Sequence, residues 1–145
     1  MKTIFDLETK MELENRIANL TKDTTPKWGK MTVGQMLWHC QFFLKVAVKN
    51  KDHGNGKFFM KLFKKSLYSD KPYRRNLPTV KEVLTKSPRE FDAEKSKLLK
   101  LIDETHQLKT RTNWNPHPVF GKFTPEQWGK LEYKHLDHHL VQFGV

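Results

Sequence analysis

Two four-residue strings settle most of what this chain can fold into. Thr32-Val33-Gly34-Gln35 and Thr124-Pro125-Glu126-Gln127 each set a hydroxyl that can accept from a free helix N–H. Three residues on, a Gln can reach back to the capping residue. The second string adds Pro at the first helical position, where its missing N–H costs nothing. After Thr32 an apolar stripe of Val33, Met36, Leu37, Cys40, Phe43, Leu44, Ala47 and Val48 predicts a helix to about Val48. After Thr124 the pattern predicts a last helix to about Phe143.

The rest of the chain reads the same way. Leu13, Ile17 and Leu20 predict a short amphipathic helix over 10–20, broken at Thr24-Thr25-Pro26. Phe91, Leu98, Leu101, Ile102, Thr105 and Leu108 form the inward side of a long helix over 89–108. A basic helical stretch is expected over 57–68, with Phe58, Phe59 and Phe63 as its packed face, and a short helix over 79–85. No window alternates with a period of two over several strands. The expected fold is therefore all-α, a four-helix bundle with short extra helices, in one domain over 1–145. At 145 residues the chain can bury one real core but not two ordinary ones. Its 10 Phe and 4 Trp exclude a disordered polyelectrolyte.

Longer apolar runs are missing. No stretch of about 18 residues reads as a membrane span, and Met1–Asp6 reaches its charges too early for a signal peptide. A single cysteine, Cys40, cannot form an internal disulfide, so a cytoplasmic protein is the expectation. The net charge is +11, and the excess gathers between Lys45 and Arg75, where 10 basic residues face only Asp52 and Asp70. Such a block can attract nucleic acid, acidic lipid or an anionic small substrate, or it can simply be a solvated face. No named nucleic-acid motif accompanies it, and basic charge alone gives weak, salt-sensitive binding.

Chemistry concentrates in the histidines. On the last helix, Trp128, Leu131, Glu132, His135, His139, Gln142 and Phe143 fall on one inward face at 100° per residue. His135 and His139 are one turn apart at its centre, where apolar residues are the default, and His138 is at its edge. Two imidazoles at that spacing can share one metal ion. The bland alternative gives each ring a carbonyl or a buried water as partner. His39 is the best third ligand, if a neighbouring helix aims it at the pair. Three His ligands leave open positions for water or substrate, the arrangement of a catalytic site. Cys40, nearer the centre of its stripe, reads as an inert small hydrophobe. Glu132 forms Glu-x-x-His with His135, but without the second copy and extra Glu that a dinuclear centre needs. It is expected either behind the ligands or at the surface. His117, in the stiff loop Asn113–Pro118, either reaches the pocket mouth or holds the loop. His53 lies in a polar loop, and His106 is expected near an exposed helix end.

Three strings together carry a resemblance: Met31-Thr32-Val33-Gly34-Gln35-Met36-Leu37-Trp38-His39-Cys40, His117-Pro118-Val119-Phe120-Gly121, and the closing run Trp128-Gly129-Lys130-Leu131 with His135-Leu136-Asp137-His138-His139-Leu140-Val141-Gln142-Phe143-Gly144. The chain resembles the DinB-like superfamily, in the subgroup catalogued as domain of unknown function 1569. The resemblance implies a four-helix bundle, often a homodimer. It also implies a divalent metal, zinc or nickel, on His39, His135 and His139, with Gln142 where relatives often carry Gln after the pair. Characterised relatives are thiol-dependent transferases and isomerases using low-molecular-weight thiols. The implied activity is thiol transfer or hydrolysis on a small electrophilic substrate, in a metal-dependent enzyme. The alternatives are a binding module that uses the basic 45–75 segment for nucleic acid or another polyanion, and a scaffold whose His cluster is structural.

Overall fold

The computed structural model describes every residue except 53, 55–61 and 77–84. His53, the first half of the expected basic helix and the expected 79–85 helix lie outside the described residues. Among the described ones there are five α-helices: α1 (Leu7–Ala18), α2 (Val33–Lys49), α3 (Lys64–Tyr68), α4 (Phe91–Gln107) and α5 (Pro125–Gln142). A 3-10 turn, Leu108–Thr110, follows α4. No strand occurs among the described residues; there is one isolated bridge, between His117 and Gly121. The fold is all-helical, as the periodicity predicts.

The two capping strings close as their residue types require. The N–H of Gln35 donates to Thr32 Oγ1 at 3.3 Å, and the N–H of Thr32 donates to Gln35 Oε1 at 2.9 Å. Thr124 and Gln127 repeat the exchange at 3.2 and 3.1 Å. The helix expected from residue 89 instead starts at Phe91, because the Glu90 carboxylate accepts from the N–H groups of Asp92 and Ala93 and so becomes the cap. The first helix begins at Leu7 rather than residue 10. Thr9 is buried one turn before Leu13 and extends the inward stripe.

Helix α2 packs on both α4 and α5, and α1 packs on the same two helices. The main core joins Leu13 and Ile17 of α1, Met36, Leu37, Cys40 and Leu44 of α2, Leu98 and Ile102 of α4, and Leu136 and Leu140 of α5. A second apolar cluster lies around Ala47, Phe123, Trp128 and Leu131. Polar clasps tie the ends. Arg16 donates to Asp137 Oδ1 at 2.7 Å and to the Val145 carbonyl at 3.0 Å. Asn50, in the left-handed conformation after α2 (φ 44°), holds Asn115 through its side chain and its carbonyl.

Two expectations need correcting, and one burial leaves no trace in the sequence. His106 is not at an exposed end: it is 6% exposed, and its Nδ1 lies 3.0 Å from the Ile4 carbonyl, so the Nδ1–H pins the N-terminal segment. Phe63 does not belong to a packed face, being 60% exposed next to Leu62 at 80%. Both precede α3, and it is Leu67 and Tyr68 of that helix that pack against the apolar cluster around Trp128. Gln41, which carries no apolar signal, is fully buried; it donates to Glu94 Oε2 at 2.6 Å and accepts from Lys45 at 2.8 Å. The α2–α4 interface thus holds a satisfied polar network inside an otherwise apolar contact.

Candidate metal centre

His39 of α2 and the pair His135 and His139 of α5 converge. All three are buried, and one nitrogen from each falls within 4.8 Å of the others. The Nε2 atoms of His39 and His135 are 3.1 Å apart. Ring centroids lie 5.0 Å apart for His39–His135, 4.7 Å for His39–His139 and 4.9 Å for His135–His139. Three nitrogens on a tetrahedral cation, at roughly 2.0–2.1 Å each, sit about 3.3 Å from one another. The observed spacing approaches that geometry within the reach of small ring rotations. Sequence reasoning named this trio, and packing of α2 against α5 brings it together.

The protonation pattern suits a cation. Burial, and then the neighbouring imidazoles, push the His135 pKa well below the ordinary histidine value. The same causes push His139 down to about 3. Both rings are therefore neutral at neutral pH, with lone pairs to give. For His139 the tautomer follows from its neighbours. Gln142 Nε2 donates to the Trp28 carbonyl at 2.7 Å, which fixes the amide orientation. Gln142 Oε1, 2.8 Å from His139 Nδ1, must then accept the Nδ1–H. The lone pair is left on Nε2. The loop carrying Trp28 is held close: Lys27 N–H donates to the Gln142 carbonyl at 2.7 Å, and a Cβ on Gly29 (φ 84°) would lie 2.6 Å from Gln142 Nε2.

Glu132 is inward, not at the surface. It is completely buried, and neither carboxylate oxygen has a hydrogen-bond partner among the described residues. Burial holds its pKa well above the ordinary carboxyl value, which favours the protonated form. Its charge, if formed, would raise the pKa values of Cys40 and Tyr73 further. The Nδ1 of His135, one turn on, is likewise buried without a partner. Orphaned polar atoms at this density are uncommon in a folded interior and are a mark of function.

The remaining candidates divide. His138 is half-buried at the rim, its ring 5.1 Å from His139, 5.8 Å from Trp28 and 5.5 Å from Tyr73. His117 holds its loop: it is fully buried, and its Nδ1 accepts from the N–H groups of Val119 and Phe120 at 3.1 and 3.3 Å. Phe43 stands between it and the metal centre, its ring 5.4 Å from His117 and 4.7 Å from His135. Cys40 is buried, bonds Met36 Sδ at 3.6 Å, and has its thiol pKa pushed far up by burial, so it is no nucleophile. Sequence reasoning missed Trp28, Tyr73 and Arg75 at the rim. A Trp in a polar loop was the one available signal.

Known proteins add one finding. The family described as "Protein of unknown function (DUF1569)" matches residues 3–144. No curated protein and no solved structure matches the chain.

Proposed function

Given that the chain belongs to the DUF1569 family, we propose that it is a metal-dependent enzyme with a divalent ion, zinc or nickel, on His39, His135 and His139. The observation that carries this reading is the convergence of three buried imidazoles from two helices. The wider assignment is a single four-helix domain of the DinB-like type over 1–145, cytoplasmic and dimeric, acting on a small electrophilic substrate. It draws on the sequence resemblance; the packing of α1, α2, α4 and α5 supports its four-helix part alone.

A bound cation would supply Lewis acidity, lowering the pKa of a thiol or water so that a nucleophile exists at neutral pH. The chain's own residues do the rest. Gln142 keeps the His139 proton on Nδ1 and its lone pair on Nε2. Phe43 and His39 close the space around His135 and exclude water from that side. Glu132, one turn before His135, has its pKa raised by burial; in its protonated form such a carboxyl can donate to a developing anion. His138 faces the solvent edge and fits the entry side. Thiol transfer is the preferred reaction, and metal-assisted hydrolysis comes next.

In the polyanion-binding alternative the 45–75 segment offers Lys49, Lys51, Lys65, Lys71, Arg74 and Arg75, which are exposed, whereas Lys64 rests on the Lys122 carbonyl and the Phe123 ring and Lys45 on Gln41. The test is metal analysis of protein made without a His tag. About one zinc or nickel per chain is expected, lost in His135→Ala. A chain that stays metal-free after incubation with both ions would end the proposal.

A further inference from the structure

The turn that leads into α3 carries an apolar pair that the metal-centre chemistry does not use. Leu62 is 80% exposed and Phe63 is 60% exposed, and both lie in the 3-10 turn that runs into the helix. Their exposure follows from the way α3 is docked. Leu67 and Tyr68 pack inward on the cluster around Trp128. Lys64 lies over the Phe123 ring with its ammonium on the Lys122 carbonyl. Those three residues hold one side of the turn against the body of the protein. At about 100° per residue the opposite side carries Leu62, Lys65 and Ser66, with Phe63 on its flank. Leu62 and Lys65, three residues apart, are neighbours on that exposed face.

The chain around the pair is basic. Between residues 62 and 75 there are five cations, Lys64, Lys65, Lys71, Arg74 and Arg75, against one acid, Asp70. The charge of Asp70 is matched by the N-terminal ammonium at 3.0 Å. Lys122, whose carbonyl receives Lys64, is exposed as well. The exposed apolar pair of α1 differs: Leu7 and Met11 stand beside Glu8 and Glu12. A nucleic acid would take the cations alone, since Leu62 has no aromatic face on which a base could stack. An acidic bilayer uses both features. Its headgroups attract the cations, and its acyl boundary accepts the apolar tips.

We infer that the Leu62–Phe63 turn docks the chain on an anionic lipid surface. The two apolar side chains insert at headgroup depth, and Lys65 with its basic neighbours lies against the lipid phosphates and carboxylates. The contact is independent of the metal centre, and it gives the excess charge of the 45–75 segment a partner.

The experiment co-sediments the full chain with sucrose-loaded vesicles, either phosphatidylcholine alone or with about a third phosphatidylserine. The wild type should bind the anionic vesicles about tenfold or more tightly, and added salt should shrink that difference. Leu62→Ser combined with Phe63→Ser should lower the affinity for anionic vesicles about tenfold or more. Its thermal melting should match the wild type, because both side chains face solvent. Lys65→Glu should weaken binding too, whereas His135→Ala should bind as the wild type does, so the metal centre is judged separately. Equal affinity for the two vesicles, or anionic binding that the double variant retains, would overturn the inference. Binding of a single-stranded oligonucleotide without any binding of vesicles would overturn it in favour of the polyanion reading.

Discussion

Gln142 shows how much one side chain can decide. Its amide spends the NH2 on Trp28 and the oxygen on His139, so a single residue sets the tautomer of a ligand and anchors the loop that forms the rim. Such partners of metal-binding histidines are worth roughly 10–100-fold in affinity. Gln142→Leu should therefore weaken zinc binding by that order. It should also cost about 1–3 kcal/mol of stability, because the Nδ1–H of His139 loses its buried acceptor. Competition with a chromophoric chelator reads the first effect and urea unfolding the second; unaltered zinc affinity would remove Gln142 from the site. Glu132 makes the opposite point. Neither of its oxygens has a hydrogen-bond partner among the described residues, so its burial costs stability.

Elements meet here with little slack. Gly34, at the start of α2, faces the Arg89 backbone just before α4; a Cβ there would come 2.3 Å from the Arg89 carbonyl oxygen. Helix propensity favours Ala over Gly by up to about 1 kcal/mol. The contact is with backbone, which cannot swing aside as a side chain tip would, so overpacking should win. Gly34→Ala is expected to destabilise the fold by about 1–3 kcal/mol. A urea midpoint equal to or above that of the wild type would show that the two helix starts can part. The α3 helix is held differently: Lys134 of α5 donates to the carbonyls of Ser66 and Ser69, near the end of that single turn. Burial lowers the Lys134 pKa, the cost of fixing an ammonium at that junction.

The whole molecule responds to acid through the α2–α4 network. Burial alone would raise the Glu94 pKa, but hydrogen bonds from Gln41 and Lys97 outweigh it and hold the pKa below the ordinary carboxyl value. The folded state therefore binds fewer protons there than the unfolded chain. Its stabilising contribution is complete above the unfolded value, about 4.3, and is lost as pH falls through the folded one. The wild type should lose stability between about pH 5 and pH 3 more steeply than Glu94→Gln. Urea melts across that range compare the two slopes; parallel slopes would mean the network carries no proton linkage. The excess of positive charge, +11 overall, adds self-repulsion on the acid side in both proteins and so cancels from the comparison.

What the sequence determined by itself is what local rules govern. Caps at Thr32 and Thr124, apolar spacing of 3.6, and the i, i+4 placement of His135 and His139 depend only on neighbours in the chain. Helices α2 and α5 and half of the candidate centre were legible from them. His39 could be named but not aimed, since its direction depends on how α2 packs against α5. Tertiary structure alone decided the rest. Gln41 and His106 are buried because distant partners, Glu94 and the Ile4 carbonyl, wait for them. Trp28, Tyr73 and Arg75 gather at the rim because loops of no regular period fold back onto α5. Contacts between residues far apart in the chain leave no periodic trace, and such contacts assemble the rim of the site.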